Sequence, residues 1–337
     1  MKPEVADESV EDALDLPIPP DFPLPDAVFA FPECRVSSSA LDLLKLVEKG
    51  LEYAVASKTL IAARLFHTVR NVFTLWCAVT PTFHRDAIES LPQVAALAHN
   101  SGMYLAHQLV TLGFSYRDKL PSLSSPTLVD LVPSLREAAA DMMLTSMRLQ
   151  RDKLKAILTT AGFPGLATDR RLSTGAEQGV RQVLHSLSHL QKVWQGVLPQ
   201  GVYLRCQGTL LNTVMEELIL IITSLEDISA DAGEQLVSLL SQLLSKSKIF
   251  FAPETPERYT RKWAKFEEVV RVLSANLREI EDRWEGGQVC SKQRVHTLIQ
   301  LFQGPLAKEV PGEQVKQLVR ALFQNTERRA ALLAKIK

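Results

Sequence analysis

Residues 91–116, LPQVAALAHNSGMYLAHQLVTLGFSY, form the longest stretch of the chain without Lys, Arg, Asp or Glu. Mostly large apolar residues recur in it at spacings of three and four, which defines one face of a helix, and small residues recur in the same way on the opposite face. The first face holds Val94, Leu97, Ser101, Leu105, Leu109, Leu112 and Tyr116, and the second, of mostly small residues, holds Ala95, Ala98, Gly102, Ala106 and Val110. A helix without charge on either face is normally surrounded by protein. We therefore predict a buried central helix that begins with a capping box of Ser90 and Gln93.

The length of this stretch would also suit a membrane span, which needs about 20 residues. Its polar side chains argue against that interpretation, because His99, Asn100 and His107 would each carry a desolvation cost in lipid. No basic flank marks an inside end either. The pattern favours a helix buried in protein, with both histidines neutral and hydrogen-bonded.

The composition is that of a globular protein without a global electrostatic field. Hydrophobic residues make up 46% of the 337 residues, and 38 basic groups balance 38 acidic groups. This balance gives no support to direct binding of nucleic acid or of an anionic membrane. Four cysteines lie far apart without a CxxC pair, which is typical of reduced thiols in a cytoplasmic protein. No signal peptide is recognised, so we expect a cytoplasmic location.

The chain divides into four segments. Residues 1–33 hold nine acidic groups, one Lys and seven of the 18 prolines, a composition typical of a linker or disordered tail. We predict a first helical bundle over residues 34–162, an internal loop over 163–175, and a second bundle over 176–337 that includes the C-terminal helix. The expected fold is all-α, an elongated multi-helix bundle or rod of about ten helices.

Local signals place several helix ends. Ser37 is a candidate N-cap, Pro81 is expected to stop the second helix, and Pro133 lies in the first turn of a long helix. Residues 259–284 have the clearest periodicity and predict one helix with a seam of coiled-coil type. The seam consists of Tyr259, Trp263, Phe266, Val270, Leu273, Leu277, Ile280 and Trp284.

No motif nominates an enzyme. The glycine-rich phosphate loops and the G-x-S-x-G elbow are absent from the sequence. His185 and His189 are four residues apart, but no third ligand lies at metal-binding spacing, so we expect no metal, no cofactor and no catalytic residue. A helical-bundle metal enzyme that uses these two histidines is the minor alternative. Glu216 and Glu217 are expected to be salt-bridge partners rather than a facing carboxylate pair.

Several segments resemble one known family, the C-terminal half of the zeste-white ten centromere/kinetochore and vesicle-tethering proteins. The segments are FHTVRNVFTL (66–75), residues 91–113, LVDLVPSLR (128–136), VRQVLHSLSHLQKVWQGVLP (180–199), GTLLNTVMEEL (208–218), LEDIS (225–229) and RALFQNTERRAALLAKIK (320–337). The resemblance covers nearly everything from Cys34 onward. It implies a helical rod of the multisubunit-tethering type.

The resemblance also implies a non-enzymatic scaffold with two roles. In mitosis the family joins Rod-like and Zwilch subunits at kinetochores, supports spindle-checkpoint signalling, and recruits dynein through dynactin. In interphase it belongs to an endoplasmic-reticulum tethering complex with RINT and an NBAS-like subunit, which serves Golgi-to-ER retrograde transport. Membrane association would then be peripheral and through partners. A generic helical adaptor without a mitotic role is the alternative.

Two departures from the family pattern limit what the resemblance implies. The family's N-terminal coiled-coil half is missing, so RINT and other partners of that half apply only if this chain is a fragment. Residues 287–302, GQVCSKQRVHTLIQLF, have no counterpart in the family pattern; their apolar residues could form one amphipathic helix.

We place the candidate partner-binding residues on the last predicted helix, residues 314–337. Charged and aromatic side chains away from its deepest apolar line are typical interface anchors. These residues are Arg320, Phe323, Asn325, Arg328 and Arg329.

Overall fold

The computed structural model describes residues 30–116, 118–120, 127–161, 174–285 and 304–336. This part of the chain contains thirteen α-helices and no strand, so the all-α prediction is confirmed. The helices are α1 (Ser38–Val55), α2 (Thr59–Phe83), α3 (Arg85–Ser90), α4 (Pro92–Tyr116), α5 (Val132–Thr160), α6 (Thr174–Trp194), α7 (Gln200–Thr223), α8 (Ala230–Lys248), α9 (Trp263–Ser274), α10 (Leu277–Glu285), α11 (Pro305–Glu309), α12 (Gly312–Leu322) and α13 (Glu327–Lys335). All of them belong to one compact unit, residues 33–337.

Three sequence predictions fall outside the described residues. They are most of the acidic tail over 1–33, most of the loop over 163–175, and the amphipathic helix over 287–302. The division into two bundles on either side of that loop stays a prediction.

The uncharged stretch forms α4, which packs against α1, α3, α5 and α6. Both predicted faces contribute buried residues, because Leu105 and Leu109 on one face and Ala95 and Ala106 on the other are fully buried. The prediction of a central helix surrounded by protein is confirmed. Among the described residues, no helix is long and apolar enough to cross a membrane.

The predicted capping box at the start of α4 is wrong. Ser90 is the last residue of α3, and its hydroxyl donates a hydrogen bond of 2.6 Å to the carbonyl oxygen of Asp86 one turn earlier. A serine that bonds back to its own helix cannot also cap the next one. Leu91, in extended conformation, separates the two helices.

The polar side chains of α4 connect it to distant parts of the chain. Ser101 Oγ accepts a hydrogen bond of 3.1 Å from the backbone N–H of Ser37. The side-chain oxygen of Ser37 in turn accepts from the backbone N–H of Ala40, so Ser37 is the N-cap of α1, as predicted. The imidazole of His99 lies 3.1 Å from the carbonyl oxygen of Ala139 in α5, and Nδ1–H is the donor because a carbonyl only accepts.

The hairpin of α1 and α2 packs on a first core cluster, together with parts of α4 and α5. Leu44, Val47 and Leu51 are buried on α1, and Val69 and Phe73 are buried on α2. Pro81 does not stop α2, which continues through Phe83. A proline removes only one backbone donor, and here it lies in the last turn, where the interruption affects almost no further hydrogen bonds.

A second and larger core cluster contains residues from every helix between α6 and α13. The apolar residues of α6 that recur at spacings of three and four are buried, namely Val180, Val183, Leu187, Leu190 and Trp194. Trp194 is fully enclosed, and so is Trp263 of α9 in the same cluster. Trp194 Nε1 also donates a hydrogen bond of 3.2 Å to the carbonyl oxygen of Pro92 at the start of α4. Through this bond α6 is connected to the central helix.

The predicted continuous helix over residues 259–284 is wrong, although five of its eight seam residues are buried and the half-buried Tyr259, Leu277 and Trp284 pack against the same cluster. The helix is interrupted between α9 and α10, where Asn276 and Glu279 form a reciprocal capping box. Asn276 Oδ1 accepts from the N–H of Glu279, and a carboxylate oxygen of Glu279 accepts from the N–H of Asn276, both at 3.0 Å. The first backbone N–H groups of a helix have no acceptor within that helix, and these two bonds supply acceptors at the start of α10. They compensate for the backbone hydrogen bonds that are lost where the helix is interrupted.

The break between α9 and α10 is stabilised by a buried carboxylate. Glu268 of α9 is 3% exposed. It accepts hydrogen bonds from Arg283 of α10 at 3.0 Å and 2.6 Å, and from Arg271 at 2.6 Å. A bidentate pair of this kind fixes the orientation of the two helices relative to each other.

Candidate interaction surface at the C-terminal corner

The predicted last helix is two helices, α12 and α13, which meet at a corner. Phe323 adopts an extended conformation after the end of α12, and Thr326 caps α13 by accepting a hydrogen bond of 3.3 Å from the N–H of Arg329. A threonine at this position is a preferred N-cap, and it starts a new helix at the expense of continuing the old one. The prediction of a single helix over residues 314–337 is therefore wrong.

Arg329 reaches across the corner to the preceding helix. Its Nη1 donates hydrogen bonds to the carbonyl oxygens of Phe323 at 2.6 Å and Arg320 at 3.3 Å. The last carbonyls of a helix lack helical partners and carry its negative dipole end, so a cation there is stabilising. Arg329 thus acts as the C-terminal cap of α12.

Two further contacts attach the corner to the rest of the unit. The backbone N–H of Ile228 donates a hydrogen bond of 2.9 Å to the carbonyl oxygen of Ala321 in α12. At the other end of α13, Lys335 pairs with Glu281 and, at 3.3 Å, with Glu285 of α10. Hydrogen bonds to Glu281 and then Glu285 raise the pKa of the Lys335 ammonium above its ordinary value. The corner is positioned from both sides.

The five residues predicted from the sequence divide into two groups. Phe323 is half-buried and packs against the second core cluster, and Arg329 is half-buried in the cap just described. Arg320, Asn325 and Arg328 are exposed. Of the five, these are the three side chains that a partner could reach.

Arg328 has an electrostatic environment that differs from that of Arg329. It is the second residue of α13, where the positive end of the helix dipole disfavours a cation by about 0.3–1 kcal/mol. Its side chain forms no ion pair with any residue that the structure describes. A cation in such a position is well suited to a carboxylate of another molecule.

The histidines and glutamates that were candidates for a metal or catalytic site do not come together in one cluster within the described residues. His185 and His189 are both exposed on α6, and the described residues contain no group of three possible metal ligands among His, Cys, Asp and Glu. Glu216 pairs with Lys262 at 3.7 Å and Glu217 pairs with Lys155, so their prediction as salt-bridge partners is confirmed.

The described cysteines are not poised as nucleophiles. Burial raises the pKa of the Cys206 thiol to about 12, and burial also raises the pKa of Cys34 and Cys77. The thiolate is the reactive form, so these three side chains are held in the unreactive state.

The matches to known proteins cover most of the chain in two consecutive parts. Residues 29–156 match the family model described as centromere/kinetochore protein zw10, C-terminal, and residues 178–336 match the ZW10 C-terminal helical domain. The chain belongs to the zw10 centromere/kinetochore family. The match extends through α12 and α13, so the corner is part of the family's C-terminal helical domain.

Individual relatives agree with the family assignment. The chain is 41% identical to the rat centromere/kinetochore protein zw10 homolog over 332 residues, which is 94% of this chain and 41% of the rat protein. It is 28% identical to centromere/kinetochore protein zw10 of Drosophila melanogaster over 317 residues (91% of this chain, 39% of the fly protein). It is 25% identical to the Arabidopsis thaliana homolog over 299 residues (84% and 40%). The chain thus spans about two fifths of the length of these zw10 relatives.

Proposed function

We propose that this chain is a non-enzymatic scaffold that joins larger subunits of a kinetochore complex, and that the C-terminal corner is one of its contact surfaces. The observation that carries the proposal is the match of both C-terminal zw10 models, together with relatives named as centromere/kinetochore proteins. The partners would be Rod-like and Zwilch subunits. Through them the chain would contribute to checkpoint signalling and to recruitment of dynein and dynactin, at the kinetochore in mitosis.

The proposal includes a second assignment, an interphase tethering complex at the endoplasmic reticulum with an NBAS-like subunit. There the chain would act in Golgi-to-ER retrograde transport and would associate with the membrane only through partners. RINT would be a partner only in a longer protein that also has the N-terminal half. An all-helical scaffold whose described helices do not cross a membrane is compatible with peripheral attachment.

The geometry of the corner supports a role in binding a large subunit. Its backbone is held by Thr326 and Arg329, so the exposed side chains are presented on a preorganised support, and little ordering entropy is lost on binding. Arg320 and Arg328 offer two cations, and Asn325 offers an amide that can both donate and accept. Arginine is enriched among residues that dominate interface energies.

The test compares binding with folding. The variant Arg320→Glu/Arg328→Glu changes only exposed side chains, whereas Arg329→Glu would also remove the cap of α12. Tagged full chain is purified from mitotic and from interphase extracts, and the co-purified proteins are identified. We expect the double variant to keep its melting temperature and to lose capture of the Rod-like and NBAS-like subunits by about tenfold or more, the effect of a 1.4 kcal/mol loss.

The matched control is Arg148→Glu/Arg151→Glu, which reverses two exposed arginines on α5. It should capture the same subunits as the unmodified chain. Equal capture by the corner variant would remove the corner from the proposal. Absence of kinetochore subunits from the mitotic purification of the unmodified chain would overturn the scaffold assignment itself.

A further inference from the structure

The outer side of the α1–α2 hairpin exposes a line of large apolar side chains. Leu46 and Tyr53 of α1 are 62% and 68% exposed, and Leu75, Val79 and Phe83 of α2 are 61%, 46% and 79% exposed. Single exposed apolar residues are ordinary, but large ones grouped on one surface mark interaction sites. We call these five residues the outer hairpin seam.

The register of the hairpin places the five side chains along one groove. A Cβ added at Gly50 would lie 3.1 Å from Cγ2 of Val69, so Gly50 faces α2 at that level. Leu46 and Tyr53 are four residues before and three residues after Gly50, which puts them on the same edge of α1.

The apolar residues of α2 follow the same edge. Leu75 and Val79 lie three and seven residues after Val72, a half-buried residue packed against the first core cluster. Phe83 follows one turn after Val79. The seam is therefore the exposed continuation of the packing between the two helices.

A cavity adjoins the seam at its Phe83 end. The ring of Phe83 makes an edge-to-face contact with His84, with centroids 5.0 Å apart. His84 lines a largely apolar cavity of about 380 Å³ between α1, α2 and α4, together with Leu43, Trp76 and Val94.

Among the charges beside the seam, those without an ion-pair partner are cations, whereas Asp42, one turn before Leu46 on the same stripe of α1, is paired. Lys49 lies between Leu46 and Tyr53 on the same stripe of α1, Arg64 lies three turns before Leu75 on α2, and Lys58 is in the connection between the helices. These three cations form no ion pair with any residue in the described part of the chain, whereas nearby Lys45 pairs with Asp42 at 3.0 Å.

The remaining carboxylates of α1 lie on its other side. The pKa of the Tyr116 hydroxyl at the end of α4 is raised, first by burial and then by the charges of Glu52 and Glu48. Glu48 is two residues after Leu46 and Glu52 directly precedes Tyr53, so neither follows the spacing of three and four that defines the seam. The seam has an apolar floor and a basic border.

We propose that the outer hairpin seam binds an amphipathic helix of a partner protein, whose apolar face is bordered by Asp and Glu. A groove between two antiparallel helices accepts the side-chain ridges of a third helix. Acidic residues along its borders would pair with Lys49 and Arg64, which selects the partner and sets its orientation. This site lies on helices other than the C-terminal corner, so it goes beyond the function proposed above.

The same charges disfavour a second copy of this chain as the occupant. A twofold dimer through the seam would bring identical patches together. The shared interface would then contain the unpaired cations Lys49 and Arg64 of both copies, and like charges in one interface are repulsive. An anionic membrane would also satisfy the cations, and the vesicle measurement below separates it from a peptide partner.

The test uses a photo-reactive amino acid at position 75. The full chain with p-benzoylphenylalanine in place of Leu75 is expressed in cells and irradiated, and the cross-linked peptide is sequenced. We expect a peptide of another protein with apolar residues at spacings of three and four and with flanking Asp or Glu. The same replacement at Leu144, which is 48% exposed on α5, is the positional control and should not give that peptide.

Charge reversal supplies the second readout. Lys49→Glu/Arg64→Glu, at two exposed positions, should lower the yield of the Leu75 cross-link by about tenfold without changing the melting temperature. A cross-link to this chain itself, to a segment without acidic borders, or none specific to position 75 would overturn the proposal. So would seam-dependent binding of the purified chain to phosphatidylserine vesicles with no peptide cross-link. None of these outcomes alters the test of the C-terminal corner.

Discussion

The side-chain amide of Asn100 donates a hydrogen bond of 2.7 Å to the backbone carbonyl oxygen of Val197, which lies 97 residues further along the chain. The same amide nitrogen donates to the carbonyl oxygen of Arg35 at 2.8 Å, and the N–H of Arg35 donates to Val197 at 3.0 Å. Asn100 thus connects the segment before α1, the central helix and the turn after α6. It joins the parts of the chain that match the two zw10 family models.

Replacement of Asn100 by Ala is expected to lower the free energy of unfolding by about 1–3 kcal/mol. Asn100 is 1% exposed, and its removal takes one donor from the buried carbonyl of Val197 and one from the part-buried carbonyl of Arg35, which costs desolvation of polar groups left with fewer partners. Urea denaturation followed by circular dichroism measures the change. Asn71→Ala, at an exposed position of α2, is the matched control and should change stability by less than about 0.5 kcal/mol. Equal effects of the two substitutions would contradict the role of Asn100.

Two glycine substitutions are expected to have opposite signs. A Cβ at Gly102 in α4 would lie 2.6 Å from Cβ of Ala139 and 2.8 Å from Cη2 of Trp76. Gly102→Ala should therefore destabilise the protein by about 1–3 kcal/mol through overpacking, despite the higher helix propensity of alanine. Gly201 in α7 has no heavy atom within 4 Å of its added Cβ, so Gly201→Ala should be neutral or stabilising by up to about 1 kcal/mol. Thermal unfolding of the two variants side by side measures the difference.

The buried imidazole of His99 is expected to make the free energy of unfolding depend on pH. Burial lowers the pKa of His99 below its ordinary value of 6.5, and the hydrogen bond to Ala139 opposes this shift only in part. In the unfolded chain His99 takes up a proton at higher pH than in the folded chain. Its stabilising contribution is thus present above about pH 6.5 and is lost as the pH falls through the depressed pKa. The free energy of unfolding of the unmodified chain should decline more steeply from pH 7 to pH 5 than that of His99→Gln. His67→Gln, at an exposed position of α2, should keep the slope of the unmodified chain.

The ion pair between Glu268 and Arg283 is expected to respond unequally to loss of either partner. Arg283→Met leaves a carboxylate that is 3% exposed with only Arg271 beside it, and breaking a buried pair in this way costs about 3–5 kcal/mol. Glu268→Gln leaves arginines whose side chains are 31% and 52% exposed and can be hydrated, so it should cost about 1.5–3 kcal/mol. Chemical denaturation of both variants decides the order. A larger loss for Glu268→Gln would mean that the carboxylate is better solvated than the structure shows.

Sequence periodicity predicted which residues are buried more accurately than it predicted where helices end. Trp263, Phe266, Val270, Leu273 and Ile280 are buried as the seam over 259–284 required. The break at Asn276 escaped prediction because α10 keeps the same face toward the core, so the spacing continues across the interruption. The Asn276–Glu279 box was the available signal, since Asn followed three residues later by Glu is a helix-start pattern.

The candidate site shows the same limitation. Its residues were chosen on the assumption of one straight helix, where Arg328 and Arg329 would differ little. The corner at Thr326 separates them, because Arg329 turns back to the carbonyls of α12 while Arg328 faces solvent. The outer hairpin seam was missed altogether, since Leu46 and Tyr53 lie off the main apolar face of α1 and only the packed hairpin brings them beside Leu75.

The backbone N–H of Gly304 donates a hydrogen bond of 3.1 Å to the carbonyl oxygen of Trp284. This bond holds the end of α10 directly beside the start of α11. The residues between Glu285 and Gly304 include the 287–302 segment that departs from the family pattern. We expect their replacement (286–303) by a four-residue Gly/Ser linker to leave the free energy of unfolding unchanged or raised by about 1 kcal/mol, because a connection of fewer residues loses less entropy when its two ends are brought together. Urea denaturation measures the result, and Leu306→Ala is the contrasting variant. Leu306 is fully buried in α11, so its truncation should cost about 2–5 kcal/mol and show that α11 itself is needed. A comparable loss in the linker variant would mean that residues 286–303 contribute to the fold beyond the Trp284–Gly304 closure.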